Sequence, residues 1–249
     1  ISGVRVRYRE GGSMGDMYVT DIKRDENGVL LLTDNMLPQS ETEKAKLYTK
    51  FIGNMNSKYQ LGWSNTFTYK DFQLFFLING RIGGKVVSMT EGYLDYFGQS
   101  QRSADARLQA EANGLYTADG RQAMQIVGRK QIGQDANRNP VYEENAQTYL
   151  VALDDYYRYL GGGLHPEEYV YDATNFRLRE LSLSYTFRNL LGEGKNLSLS
   201  FVGRNLFFMY KDAPVDPDVS LSTQNGLSGF ELFNMPSARS FGFSAKINF

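Results

Sequence analysis

The chain has no cysteine and only one histidine and one tryptophan among its 249 residues. Without cysteine there is no disulfide framework, no thiolate metal site and no cysteine nucleophile. With His165 as the only histidine, a Ser-His-Asp triad or a histidine metal cluster built from this chain is not expected. No apolar run approaches the roughly 20 residues that a membrane-spanning helix requires. The opening "ISGVRVRYRE" has neither an apolar h-region nor a small-residue cleavage site, so no signal peptide is read there. A formal net charge of -1 gives no electrostatic reason to expect a nucleic acid or an anionic membrane surface as partner. What the chain has in quantity is 17 Tyr, 16 Phe and 25 Gly, a mixture that favours β structure with many turns.

Five stretches alternate between apolar and polar residues, the last of them strictly. In the first, Tyr59, Leu61, Trp63, Asn65, Phe67 and Tyr69 stand against Gln60, Gly62, Ser64, Thr66 and Thr68. After Lys70-Asp71, Phe72, Leu74, Phe76 and Ile78 share a face. Leu181, Leu183, Tyr185 and Phe187 oppose Glu180, Ser182, Ser184 and Thr186, and after "RNLLGEGKN" come Leu197, Leu199 and Phe201 opposite Ser198 and Ser200. The last stretch alternates Phe241, Phe243, Ala245, Ile247 and Phe249 with Gly242, Ser244, Lys246 and Asn248. The first two runs are each about the 9–11 residues of a tilted transmembrane β-strand. Aromatics at strand ends (Tyr59, Tyr69, Phe187, Tyr210, Phe249) suit interfacial girdles. Arg177 and Arg179 have the parity of Leu181, which predicts that this strand outruns the apolar slab at its upper end.

The remaining sequence reads differently. Residues 1–33 are expected to form a β-meander, in which Val4, Val6 and Tyr8 alternate with Arg5, Arg7 and Arg9 and Asn27-Gly28 predicts a type I′ hairpin. A short helix is expected around Glu41–Tyr48, and another in "SADARLQAEANG", N-capped by Ser103 and ended by Gly114. Residues 83–175 otherwise read as a long surface loop with its own local structure, broken at Gly161-Gly162-Gly163, where His165 reads as a loop residue. The division is therefore 1–58 loop region, 59–82 transmembrane hairpin, 83–175 long loop, 176–210 transmembrane hairpin, 211–238 loop and 239–249 closing strand. Short turns at one end and long loops at the other match outer-membrane barrels, whose short turns are periplasmic.

Two motifs lead elsewhere and are set aside. "NGRIGGKV" lacks the first Gly of a P-loop and has Val86 where Mg²⁺ would need a hydroxyl. In "DAPVDPDVS", Asp212, Asp216 and Asp218 have a spacing that could serve Ca²⁺ or a glycosidase pair, but no calcium loop of EF type follows and two prolines stiffen the segment. It is read as a structured loop start. No catalytic, cofactor-binding or metal-binding residue is expected, and no substrate-binding residue is assigned.

The blocks "SKYQLGWSNTFTYKDFQLFFLINGRIGGKV", "NFRLRELSLSYTF", "GRNLFFMYKDAPVDPDVS" and "PSARSFGFSAKINF" together resemble, in order, the C-terminal portion of SusC/RagA-type TonB-dependent outer-membrane transporters of Bacteroidetes. In "GNMNSK", Ser57 replaces the proline usual in that family. The resemblance implies an all-β fold: the C-terminal strands of a transmembrane antiparallel β-barrel with long extracellular loops, in the outer membrane. The plug, the TonB-contacting motif and most barrel strands of that family lie upstream of its C-terminal portion. Barrels of this class have about 22 strands and a plugged lumen. The implied function is TonB-energised import of oligosaccharides or peptides with a SusD-like surface lipoprotein, without covalent chemistry or cofactor. Expected partners are the remaining barrel and plug, the lipoprotein (contacting 1–58, 83–175 and 211–238), TonB through the missing N-terminal region, and outer-membrane lipid. Phe241, Phe243, Ile247 and Phe249 are expected to carry barrel closure and the insertion signal, while Thr66, Ser182, Ser184 and Arg204 are candidates for the lumen. The alternative is a secreted or surface-exposed glycan-binding β-domain.

Overall fold

A computed structural model describes residues 3–248 except 191, 223 and 225. Strands and antiparallel sheets dominate it, and the chain divides into two compact units, Ile1–Asn54 with Val87–Val170, and Met55–Val86 with Tyr171–Phe249.

In the first unit, Asp16–Val19 lies between Val4–Val6 and Lys50–Asn54, antiparallel to both. The expected meander thus takes its third strand from much later in the chain. Residues 22–33 instead run through single bridges, Ile22 to Ser40, Arg24 to Leu30 and Leu32 to Pro38. The turn at Asn27-Gly28 is not type I′, because only Gly28 has positive φ (79°). The Asp25 carboxylate accepts from the backbone N–H groups of Asn27 and Val29, and this Asx turn fixes the conformation instead. Around Glu41–Tyr48 there is only a single 3-10 turn, Lys44–Lys46.

The stretch expected to be mostly loop is substantially folded. Ala123–Gln134 pairs antiparallel with Gln147–Ala152 and Pro140–Tyr142 and parallel with Leu31–Leu32. Helices Met89–Tyr96, Gln101–Ala112 and Leu153–Tyr159 accompany it. The N-cap of Gln101–Ala112 is Ser100, not Ser103: the Ser100 hydroxyl accepts from the Ser103 N–H at 2.9 Å, and Ser103 is buried inside the helix. Leu32, Ile126 and Val151 form one small core, and Ala110, Leu153 and Tyr157 another. Buried Asp95 accepts hydrogen bonds from Ser100, from Arg102 and, at 2.8 Å, from the Tyr169 hydroxyl. Asp95 therefore ties two helices to the segment that follows the third.

His165 is 1% exposed, not a surface loop residue. The chain around it packs too tightly for side chains: a Cβ on Gly161 would sit 2.2 Å from the Gly92 carbonyl oxygen, and one on Gly3 2.1 Å from that of Gly163. The glycines permit close approach instead of breaking the structure.

The second unit is built on five strands, numbered here in chain order: first Tyr59–Tyr69, second Phe72–Ile82, third Asn175–Phe187, fourth Asn196–Lys211 and fifth Ser240–Asn248. They form one antiparallel sheet in that same order, so every strand pairs with its sequence neighbours. Lys70, with φ 53°, makes the two-residue turn between the first two strands. Beside it, Thr186 donates its N–H to the Asp71 carbonyl at 2.9 Å. Among the described residues the sheet stays open, with the first and fifth strands as its edges. A small core of Val86, Ala173 and Ala213 lies within the same unit.

Candidate functional site: a sheet with one apolar and one polar face

Register turns the alternation of single strands into a property of the whole sheet. Phe67 pairs with Leu74, Leu74 with Leu183, Leu183 with Phe201 and Phe201 with Phe243. One row lower, Tyr69, Phe72, Tyr185, Leu199 and Ala245 follow one another in the same way. Because side chains alternate with period two, all of these point to the same side. That side is apolar across five strands, and much of it is open: Trp63 is 59% exposed, Leu183 51% and Phe243 70%. Its rings pack on one another, Trp63 edge-on against Phe76 at 5.0 Å, Phe72 tilted against Tyr185 at 4.6 Å and Phe67 stacked on Phe76 at 6.1 Å. A contiguous exposed apolar surface of this extent marks an interaction surface.

The opposite face carries polar cross-strand pairs in the same register. Ser184 donates to the Ser200 hydroxyl at 2.8 Å, Thr186 and Ser198 share a hydrogen bond at 2.9 Å, and Arg204 Nε donates to Glu180 at 3.0 Å. Phe75, Leu77 and Val202 are apolar exceptions there, all half-buried. The sequence-predicted lumen residues Thr66, Ser182, Ser184 and Arg204 fall together on this polar face.

Of the residues predicted for closure, Phe241, Phe243 and Ile247 stand on the fifth strand opposite Gly203, Phe201 and Leu197. All three are exposed on the apolar face, and Phe241 stacks on Phe201 at 6.0 Å. The prediction for Phe249 lies outside the described residues.

Arg177 corrects the sequence reading. Between Leu178 and Glu180 the register shifts against both neighbouring strands: Arg179 is an extra residue against the second strand, whereas two residues of the fourth, Asn205 and Leu206, stand opposite it. Beyond this bulge the parity inverts, so that Leu178 pairs with Ile78 on the apolar side and Arg177 turns to the polar side. There Arg177 is 3% exposed. It lies 3.6 Å from both Asp216 and Asp218, donates to Ser237 Oγ at 3.0 Å, and stacks its guanidinium over Phe208 at 4.3 Å. Burial pushes the Asp216 carboxyl up, but hydrogen bonds from Ser237 and the Asp218 N–H, together with Arg177, outweigh it and hold the group below its ordinary value of 3.8. Arg179 adds a contact to Asp218 at 3.7 Å. Of the aspartates noted in the sequence, Asp216 and Asp218 thus serve as counter-ions that fasten segment 211–238 to the polar end of the third strand, while Asp212 accepts from the Asp172 N–H at 3.3 Å. The alternation breaks at the adjacent polar residues Arg179 and Glu180, and parity counted through that break puts Arg177 on the wrong face.

The other sequence motifs resolve structurally. Lys85 of "GRIGGKV" lies in the strand Lys85–Ser88, 3.3 Å from Asp172, and Gly83 donates its N–H to Thr174 Oγ1 at 2.9 Å. Among the described residues no group of three or more His, Asp or Glu side chains is placed to hold a metal ion, and no helix is long and apolar enough to cross a membrane, which says nothing about strands.

No family model matches the chain, and no curated protein does. Among solved structures, a chain of the RagAB peptide importer in its "open-open" state superposes with a TM-score of 0.49 at 14% identity, over 94% of this chain and 20% of that one. The chain therefore spans about a fifth of the length of that solved chain.

Proposed function

We propose that the five-stranded sheet is an arc of the wall of an outer-membrane β-barrel, with Leu183 and its row against lipid and the Ser184–Ser200 row toward the lumen. The observation that carries the reading is the pairing of a continuous, exposed apolar face with a hydrogen-bonded polar face on one uninterrupted meander. A sheet in a soluble sandwich covers its apolar face with a second sheet. The dimensions agree as well. The 11 residues of the first strand extend about 36 Å at about 3.3 Å per residue. Tilted by about 45°, this gives a height of ~25 Å, that of the apolar band of outer-membrane barrels.

The sequence resemblance extends the proposal. The chain is the C-terminal part of a SusC/RagA-type importer, energised by TonB through a plug carried elsewhere, and it receives oligosaccharide or peptide with a SusD-like surface lipoprotein. The remaining strands of such a barrel would take up the two free edges, because an unpaired strand edge in lipid leaves backbone groups unsatisfied.

Arginine scanning in the full-length transporter tests the sidedness. Leu183→Arg should cost about 2–4 kcal/mol if it lies near the bilayer midplane, and Ser184→Arg much less, read as folded fraction in urea titrations in lipid vesicles. Equal costs at the two positions would refute the proposal.

A further inference from the structure

We propose that the first unit docks onto phosphate-bearing lipid headgroups through a face built from Arg5, Arg7 and Arg9. The strands Val4–Val6, Asp16–Val19 and Lys50–Asn54 make a small sheet with two unlike sides. Val4, Met17 and Val19 are buried on one. On the other, Arg5 pairs with Tyr18 and Tyr18 with Phe51, so the three form a cross-strand row. Arg7 has the parity of Arg5 and belongs to the same side.

The arginines are held in place without being neutralised. Arg9 lies over the Tyr18 ring at 4.3 Å, Arg5 lies over the Tyr48 ring at 4.7 Å, and Arg7 Nη1 donates to the Tyr48 carbonyl at 2.8 Å. A ring beneath a guanidinium plane leaves its N–H edges uncovered, in the fork that matches phosphate oxygens. All three arginines are exposed, and among the described residues none of them forms an ion pair. Asp16, whose carbonyl accepts the Arg7 N–H, turns its carboxylate to the Ser13 N–H at 2.9 Å and to Asn54 Nδ2 at 2.7 Å instead. Three guanidinium groups thus stand beside one flanking carboxylate, Glu10. The neighbouring apolar side chains favour a lipid over a free anion. Phe51 is 56% exposed and Tyr8, between two of the arginines, 69%. Cations interleaved with exposed rings are the pattern of a surface at headgroup level, where phosphates meet the charges and the rings enter the interface. Each arginine near an anionic leaflet raises affinity about fivefold.

The test uses the full chain in dodecylmaltoside micelles, so that the apolar sheet of the second unit is covered alike in every arm. Phenylglyoxal modification of single arginines is followed by mass spectrometry after adding phosphatidic acid, phosphatidylcholine or inorganic phosphate at equal phosphorus concentration. Exposed Arg138 serves as the internal reference. Phosphatidic acid is expected to slow modification of Arg5, Arg7 and Arg9 at least fivefold relative to Arg138, and the other two additions less than twofold. Phe51→Ser, an exchange at an exposed position, should at least halve the protection while leaving the lipid-free rates unchanged. Equal slowing at Arg138 would mean a general charge effect, and equal protection by inorganic phosphate a free-anion site. Lack of protection in every arm would leave the face to another anion, such as an acidic protein surface. Each of these, or protection that Phe51→Ser does not alter, would overturn the proposal. The proposal extends the membrane reading to the other unit, but its result is separate, since arginine scanning of the sheet reports on the second unit alone.

Discussion

His165 shows how much one residue's setting can differ from its sequence context. Its Nε2 meets the Tyr159 hydroxyl, which also reaches the Pro38 carbonyl, while Nδ1 is buried without a partner in the described structure. Burial, and then the positive charge of Lys50, lower its pKa from 6.5 to about 4, with Asp21 opposing weakly. The unfolded chain therefore binds a proton near pH 6.5 that the folded chain takes up only near 4. Stability from this group is complete above about pH 6.5, falls as the pH drops towards 4, and is flat below. The full effect is ~3 kcal/mol. Denaturant midpoints measured between pH 7.5 and 4 should fall more steeply for the native chain than for His165→Phe, and equal slopes would refute this assignment. Nothing local in "GGGLHPEE" announces the burial, because it arises from glycine contacts with Gly92 and Gly3, distant in sequence.

At the scale of elements, the strands that read clearly in the sequence are those whose two faces meet different surroundings. The five long strands sit where the apolar stripes placed them, and their order is the simplest the chain allows. The strand Ala123–Gln134 escaped notice for a definable reason. Its inward position 128 is glycine, where a Cβ would sit 2.7 Å from Leu32 Cγ, so the apolar period is interrupted at the point of closest packing. The bulge at Arg179 leaves a trace in the sequence, two adjacent polar residues, Arg179 and Glu180, between Leu178 and Leu181, and counting parity through it misplaces Arg177. Arg177→Leu leaves Asp216 beside Ser237 without its guanidinium. Breaking a buried ion pair by losing one partner costs about 3–5 kcal/mol. Arg179→Ala removes only the 3.7 Å contact to Asp218 and should cost far less. Limited proteolysis of segment 211–238 distinguishes them: rapid cleavage is expected for Arg177→Leu and near-native protection for the alanine variant. Equal protection would mean that Arg177 does not fasten the segment.

For the molecule as a whole, the decisive question is what covers the apolar face of the second unit. That face runs from Trp63 and Phe67 on one edge strand to Phe241, Phe243 and Ile247 on the other, and among the described residues no segment of that unit covers these exposed side chains. Water is a poor neighbour for such a surface, since each Å² of apolar area left exposed forfeits roughly 25 cal/mol. The two edge strands add rows of unpaired backbone groups that invite pairing between chains. The 249-residue chain in aqueous buffer should therefore self-associate through both features. Detergent micelles cover the face but leave the edges, so they should reduce association without abolishing edge pairing. Replacing Phe243 and Leu183 together by Ser should lower the detergent requirement, because both lie in the same row of the face. A glycan-binding domain with a covered core predicts the reverse: a monodisperse monomer in buffer, and a loss of stability when the two residues become serine. Sedimentation velocity with and without detergent separates the two readings, and a stable monomer in plain buffer would remove the wall of the barrel from the proposal.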